Sequence, residues 1–158
     1  MKKIAVIIAD LFEDSEYTEP AKAFRNAGYK LQHIGLKAGE TVKGKKQGTP
    51  VRIDSTFDQV SVDDFLALLI PGGYSPDKLR ADKTAVDFTR IFFESGKPVF
   101  AICHASQVLI TADVIRGRKI DDAIFVPRVA VENGNRVWIV DGENKLASRN
   151  VEIAWEDE

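Results

Sequence analysis

Cysteine is almost absent from this chain, which has one in 158 residues, and there are only two histidines. A single thiol excludes an internal disulfide framework and suits a protein of a reducing compartment. The chain also lacks a large excess of either charge, because 22 basic and 24 acidic residues leave a formal net charge of −2. This balance disfavours a protein that binds polyanions through its overall charge.

Long hydrophobic runs are missing as well. No apolar stretch approaches the roughly 20 residues of a membrane span, and the first run, residues 4–9, is too short for a secretion signal. The densest basic cluster, Lys43-Gly44-Lys45-Lys46, is short and interrupted by glycine, which is typical of a solvated hairpin tip. We therefore expect a cytoplasmic protein that binds neither membrane nor nucleic acid.

The composition that remains, with 44% hydrophobic residues, is that of a globular protein, and the length predicts one domain. Continuous apolar runs indicate strands buried on both faces, and amphipathic segments between them indicate helices. The predicted strands are residues 4–9, 30–36, 65–70 and 98–102, with a hairpin at 41–54 and helices at 84–94 and 106–113. Residues 10–15 form a polar loop, and a further helix has Pro20 in its first turn and ends at Gly28. This alternation predicts a parallel, doubly wound sheet.

Cys103 and His104 lie together between a predicted strand and a predicted helix. Such a turn exposes a nucleophile in α/β enzymes, and the helix N-terminus favours a thiolate with a pKa below the usual value of about 8.5. The alternative is a buried structural cysteine. His104 is a candidate base or a solvated residue at a helix start, whereas His33 lies within a strand and is expected to be structural.

Three loops end predicted strands on the same edge of the sheet, where ligands of such folds bind. They contain Glu13, the Gly72-Gly73 pair and Cys103. Backbone amides of the glycine pair and of His104 could stabilise an oxyanion, although a simple tight turn explains the glycines equally well. Glu13 is either a solvated carboxylate or a contact of the sulfur, in which case it should be protonated and donate a hydrogen bond.

Four motifs occur in order along the chain. They are Phe12-Glu13-Asp14-Ser15-Glu16, Leu69-Ile70-Pro71-Gly72-Gly73-Tyr74-Ser75-Pro76-Asp77, Lys97-Pro98-Val99-Phe100-Ala101-Ile102-Cys103-His104 and Val114-Ile115-Arg116-Gly117-Arg118-Lys119. Together they resemble the PfpI family of the class I glutamine-amidotransferase-like superfamily over residues 1–119. The resemblance implies a flavodoxin-like three-layer α/β/α sandwich with a mostly parallel sheet, assembled as a homodimer or a higher homo-oligomer.

The resemblance also implies site residues and an activity. Cys103 would be the nucleophile, with His104 as its partner, Glu13 at the sulfur and Asp77 orienting the histidine of a neighbouring subunit. From the loop after the third predicted strand, Gly72, Gly73 and Tyr74 are the candidates to face the oxyanion and the substrate. The implied activity is a cysteine-dependent hydrolase or lyase, acting on a small carbonyl such as methylglyoxal or its adducts as a deglycase or glyoxalase, or on peptides. We expect no cofactor and no metal.

The chain departs from the family pattern in two places. Ala105 and Ser106 stand where the family usually has Gly-Pro, which could re-aim the nucleophile turn. Residues 120–158 form a divergent tail of the single domain, with predicted strands at 124–127, 136–140 and 151–155 and a turn at Asn133-Gly134. The tail is either a shortened family C-terminus or, by a slight likeness to the β-barrel of periplasmic efflux-pump adaptors, the sign of a hybrid or divergent paralogue with impaired activity.

A non-catalytic function is the alternative from another class. An exposed thiol with no resolving cysteine would also suit a stress-response protein that senses oxidants through Cys103 or holds unfolded clients.

Overall fold

The structure, a computed structural model, describes residues 2–116 together with the backbone of residues 136–140 and 146–150. The chain divides into two compact units, Met1–Lys119 and Ile120–Glu158. The expectation of a single domain with a divergent tail over residues 120–158 stays a prediction.

The first unit is built on a parallel four-stranded sheet in the order β2-β1-β5-β6. Its strands are β1 (Lys3–Ile7), β2 (Lys30–Ile34), β5 (Ala67–Ile70) and β6 (Val99–Ala101), and its helices are α1 (Asp14–Asn26), α2 (Ser75–Arg80), α3 (Lys83–Glu94) and α4 (Ser106–Thr111). The predicted strands and the helices over 84–94 and 106–113 are thus confirmed to within a few residues. Because β1 lies between β2 and β5, the chain reverses its direction of winding there, and such switch points leave a crevice at the carboxyl ends of the strands.

Two hydrophobic cores lie on opposite faces of the sheet. Side chains alternate along β1, so Ala5 and Ile7 belong to one core and Ile4 and Val6 to the other. The first core is closed by α2, α3 and α4, through buried residues such as Leu79, Phe92 and Val108. The second is closed by α1 and by a small antiparallel hairpin of β3 (Thr41–Lys43) and β4 (Pro50–Arg52). This arrangement confirms the flavodoxin-like sandwich.

Helix α1 begins earlier than the sequence predicts. Residues 14 and 15 were expected to belong to a polar loop and Pro20 to a first helical turn, but α1 starts at Asp14 and contains Pro20 in its interior. Proline has no N–H, so the carbonyl of Glu16, four residues earlier, lacks its usual helical donor. The early start is what places Glu16 in the first turn of α1.

The second unit is described only through its backbone. Strands β7 (Arg136–Val140) and β8 (Leu146–Asn150) pair antiparallel, with Arg136 opposite Asn150 and Val140 opposite Leu146. The predicted strand over 136–140 is confirmed, whereas 124–127, 151–155 and the Asn133-Gly134 turn lie outside the described residues. No helix in the described part of the chain is long and apolar enough to cross a membrane.

His33 on β2 is part of a hydrogen-bonded chain on the α1 face. Its Nε2 lies 2.9 Å from the hydroxyl of Tyr17, and its Nδ1 lies 3.2 Å from the carboxylate of Asp54. Arg25 donates to the same hydroxyl at 3.3 Å. A neutral imidazole with its proton on Nδ1 satisfies these contacts, because it donates to Asp54 and accepts from Tyr17. The expected structural role of His33 fits this network.

We expect the free energy of unfolding to decrease as the pH falls below about 6.5, the ordinary pKa of histidine. Burial lowers the pKa of His33, with the Arg25 charge acting the same way and Asp54 opposing it. As the pH falls below about 6.5, His33 therefore binds a proton in the unfolded chain before it does so in the folded chain. Urea unfolding of wild type and His33→Gln between pH 5 and 7.5 measures the effect. The stability of wild type relative to the variant should fall with pH, and a constant difference would contradict the prediction.

Candidate active site

Cys103 lies at a sharp turn between β6 and a helical segment. Its φ of 56° is in the left-handed region, where non-glycine residues are uncommon and usually strained. A short 3₁₀ turn, Cys103–Ala105, then leads directly into α4. The side chain is exposed. The turn therefore has the geometry that the sequence predicts for a nucleophile, and the alternative of a buried structural cysteine is wrong.

His104 is the immediate neighbour of the sulfur. Its Nδ1 lies 3.3 Å from Cys103 Sγ, within the hydrogen-bond range for sulfur. Within the described residues, this is the one hydrogen bond made by the imidazole. The ring is therefore placed to exchange a proton with the thiol, while Nε2 is available for another group.

Glu16 is the carboxylate beside the thiol, and sequence reasoning missed it. Its Oε2 accepts a hydrogen bond of 2.9 Å from the backbone N–H of Gly72, and a Cβ at Gly72 would lie 3.1 Å from the Cβ of Cys103, so the carboxyl group and the thiol flank the same residue. Burial raises the pKa of Glu16, while the Gly72 N–H and the neighbouring thiol oppose the rise. The motif Phe12-Glu13-Asp14-Ser15-Glu16 contains this residue, but only the start of α1 decides which of its acidic side chains reaches the sulfur.

The expectation that Glu13 contacts the sulfur as a protonated donor is wrong. Glu13 instead forms ion pairs with Lys45 at 2.9 Å and with Lys46 at 3.3 Å. The hydrogen bond from Lys45 is the main cause that lowers the pKa of Glu13, so this carboxylate is charged at neutral pH. The physical argument for a proton beside the sulfur applies to Glu16.

The pKa of Cys103 is also not lowered as expected. Partial burial raises the pKa of the thiol, and the nearby Glu16 carboxylate raises it further. A hydrogen bond from the backbone N–H of His104 opposes this rise. The thiol and Glu16 thus compete for one proton, because two negative charges in contact are costly.

The Gly72-Gly73 turn brings the loops together. A Cβ at Gly72 would lie 2.8 Å from the Ile102 carbonyl oxygen and would overlap the Glu16 carboxylate. Gly73 has a φ of 75°, and a Cβ there would lie 2.7 Å from the Leu11 carbonyl oxygen. Both positions therefore exclude other residues. Since Gly72 donates its N–H to Glu16, Gly73 is the member of the pair that can offer an amide to a substrate.

A cavity of about 130 Å³ opens beside His104, the residue that follows the nucleophile. It is lined by Lys45, Gly73, Tyr74, Asp77 and His104. Four of these residues belong to the predicted site, and Lys45 was predicted only as part of a solvated hairpin tip. Tyr74 is 60% exposed and supplies an aromatic face at the entrance.

Asp77 reaches the cavity but does not orient His104 within its own chain. In the described residues its carboxylate is 3.7 Å from Arg80, and no hydrogen bond joins it to the imidazole. The predicted role across a subunit boundary stays a prediction.

No three histidine, cysteine, aspartate or glutamate side chains among residues 2–116 are grouped so that they could hold a metal ion.

Known proteins match this chain over most of its length. The model of the DJ-1/PfpI family matches residues 2–150, which extends beyond the last of the four motifs. Protein/nucleic acid deglycase 2 of Escherichia coli is 52% identical over 152 residues, covering 94% of this chain and 88% of the relative. General stress protein 18 of Bacillus subtilis is 54% identical over 132 residues, covering 84% of this chain and 76% of the relative.

A solved structure shares the fold. It is a two-domain protein from Anabaena variabilis with DJ-1/ThiJ/PfpI-like and ferritin-like domains. The TM-score is 0.73 at 36% identity, over 75% of this chain. The matched part is 34% of that longer chain.

Replacement of Glu16 by glutamine should make Cys103 more reactive at neutral pH. The amide removes the negative charge that raises the pKa of the thiol, and it can still accept the hydrogen bond from Gly72. We expect iodoacetamide to alkylate the variant about tenfold faster than wild type at pH 7, since each unit of thiol pKa changes the thiolate fraction about tenfold. The pH dependence of the rate should shift to lower pH.

Glu13→Gln is the matched control for this measurement, because it removes the same charge three residues away, where Lys45 and Lys46 are the partners. A shift as large in Glu13→Gln as in Glu16→Gln would contradict the assignment of Glu16 to the sulfur.

Proposed function

Because this chain belongs to the DJ-1/PfpI family, we propose that it is a cysteine-dependent hydrolase or lyase of the deglycase or glyoxalase type. The substrates are methylglyoxal or its adducts on amino groups. A relative that is 52% identical is named as a protein and nucleic acid deglycase, which supports this choice.

One observation carries the proposal. The sulfur of Cys103, held in a left-handed turn, lies 3.3 Å from His104 Nδ1, and the Glu16 carboxyl group lies against the same glycine, Gly72, as the Cys103 side chain. A nucleophile with an imidazole and a carboxyl group beside it is suited to attack on a carbonyl.

The chemistry begins with loss of the thiol proton to His104 or Glu16. The sulfur then bonds to the aldehyde carbon, and the carbonyl electron pair moves to oxygen, which takes the same proton back and gives a hemithioacetal. The amides of Gly73 and His104 are the proposed donors to this oxygen. A proton then moves from the first carbon to the second, and the hydroxyl proton passes to the former ketone oxygen. This isomerisation gives a thioester, which water hydrolyses to lactate and free thiol.

The same nucleophile could attack an amide carbonyl, which would give an acyl-enzyme and a peptidase. The alternative from another class is a stress-response protein that uses Cys103 as a redox sensor or acts as a holdase. A relative that is 54% identical is named as a general stress protein, which is compatible with either activity.

Loss of Cys103 or His104 should abolish or greatly reduce the formation of lactate from methylglyoxal. We expect no turnover above background in Cys103→Ser, and a decrease in kcat of about 10²-fold or more in His104→Ala, the usual effect of losing a general base. Steady-state assays of lactate measure both variants.

His33→Gln is the matched control, since it removes the other histidine, which lies on β2 in the Tyr17 and Asp54 network. It should retain kcat near that of wild type at pH 7.5. Turnover by Cys103→Ser would exclude covalent catalysis. A wild type without turnover, in which peroxide oxidises Cys103, would favour the sensor.

Asp77 is proposed to act on His104 of a partner subunit in a homodimer. The Nε2 of His104 needs a partner to fix its tautomer, and Asp77 provides none within its own chain. Asp77→Ala and Cys103→Ala should each be inactive. Refolded together in equal amounts, they should regain about a quarter of wild-type activity, because half of the dimers are mixed and each has one intact site. Mixed dimers without activity would contradict a shared site.

A further inference from the structure

Lys45 is the cation of the cavity beside the nucleophile. It lines the same 130 Å³ space as His104 and Gly73, and its Nζ lies 5.7 Å from the centroid of the Tyr74 ring. The positive charge of Lys45 also acts on the sulfur and on Glu16, where it partly opposes the rise of both pKa values. Lys45 is therefore close enough to influence any group that is bound at Cys103.

The backbone that carries Lys45 is fixed by a buried carboxylate. Asp14, at the start of α1, accepts hydrogen bonds from the backbone N–H groups of Lys46, Gln47 and Thr49 at 3.0, 3.2 and 3.0 Å. Asp14 is 2% exposed, and these bonds hold its pKa well below the usual range despite burial. The tip between β3 and β4 is thus wrapped around a charge that α1 provides, which sets the position of Lys45 relative to the site.

Lys45 can leave its ion pair with Glu13 without leaving that carboxylate unpaired. The carboxylate pairs with Lys45 through one oxygen and with Lys46 through the other. If Lys45 turns to a ligand, Glu13 keeps its pair with Lys46, so no buried charge is left alone. The hydrogen bond that Lys45 donates to Glu13 also raises the pKa of Lys45. The amine thus stays a cation at neutral pH and does not itself react with carbonyl substrates.

We propose that Lys45 is a specificity-determining residue that binds an anionic group, a carboxylate or a phosphate, on the substrate whose carbonyl carbon lies at Cys103. Tyr74 provides the wall of this subsite and Lys46 retains Glu13 when Lys45 moves. The assignment of an anionic substrate class rests on the proposed function and makes it more specific. Binding of an anion near the thiol, by contrast, can be tested without turnover.

The first experiment compares alkylation of Cys103 by iodoacetate and by iodoacetamide. In both reactions the thiolate displaces iodide and forms one C–S bond, and the two reagents differ in that one is an anion and the other is neutral. The ratio of their rate constants cancels the thiolate fraction, and the single cysteine makes the readout unambiguous. At low ionic strength we expect the ratio to be about tenfold lower in Lys45→Met than in wild type.

Lys78→Met is the matched control. Lys78 carries the same charge, forms an ion pair with Asp10 at 3.5 Å and does not line this cavity. Its ratio should stay within about twofold of wild type, and Lys45→Arg should restore most of the preference because it keeps the cation. An unchanged ratio in Lys45→Met, or an equal loss in Lys78→Met, would overturn the proposal.

The second experiment distinguishes the two anions by turnover. Methylglyoxal adducts of GMP and guanosine differ by a phosphate, and those of Nα-acetylarginine and its amide differ by a carboxylate. A preference for the anionic member of either pair that is lost in Lys45→Met identifies the group that Lys45 binds. Turnover without such a preference in either pair overturns the assigned substrate class. If wild type processes none of the four adducts while its alkylation ratio depends on Lys45, the anion subsite stands and the proposed function fails.

Discussion

The close approach of three loops at Gly72 is the constraint on which the site depends. At this position the turn after β5 meets the Glu16 carboxylate on one side and the nucleophile turn on the other, with no room for a Cβ. The backbone N–H of Gly72 then orients the carboxylate that lies next to Cys103. A larger residue would separate α1 from the nucleophile turn, so the geometry of the sulfur follows from the absence of a side chain.

Asp14 likewise fixes the position of the β3–β4 tip next to the site. A buried, unpaired carboxylate would be costly, but this one accepts hydrogen bonds from the backbone of the β3–β4 tip. A Cβ at Gly44 would overlap it, so the tip can close tightly around the charge. The first turn of α1 thus positions both the carboxyl group at the sulfur and the lysines at the entrance.

The sequence predicts the sheet and the location of the site because both depend on local patterns. Apolar runs such as residues 65–70 indicate buried strands, and parallel strands must bring their carboxyl ends to one edge. It does not predict that Glu16 rather than Glu13 reaches the sulfur. That choice depends on a helix start at Asp14, which Pro20 obscures because proline is more usual in a first turn than in the interior.

The two glutamates show why charge state cannot be read from residue type alone. Glu13 and Glu16 are three residues apart, and their pKa values are shifted in opposite directions. Glu13 meets two lysines and stays charged, whereas burial beside the thiol favours the protonated form of Glu16. A charged Glu16 would oppose the thiolate, and a protonated Glu13 would release both lysines. The two residues thus have different tasks: Glu16 shares one proton with the thiol, and Glu13 balances the charges of Lys45 and Lys46.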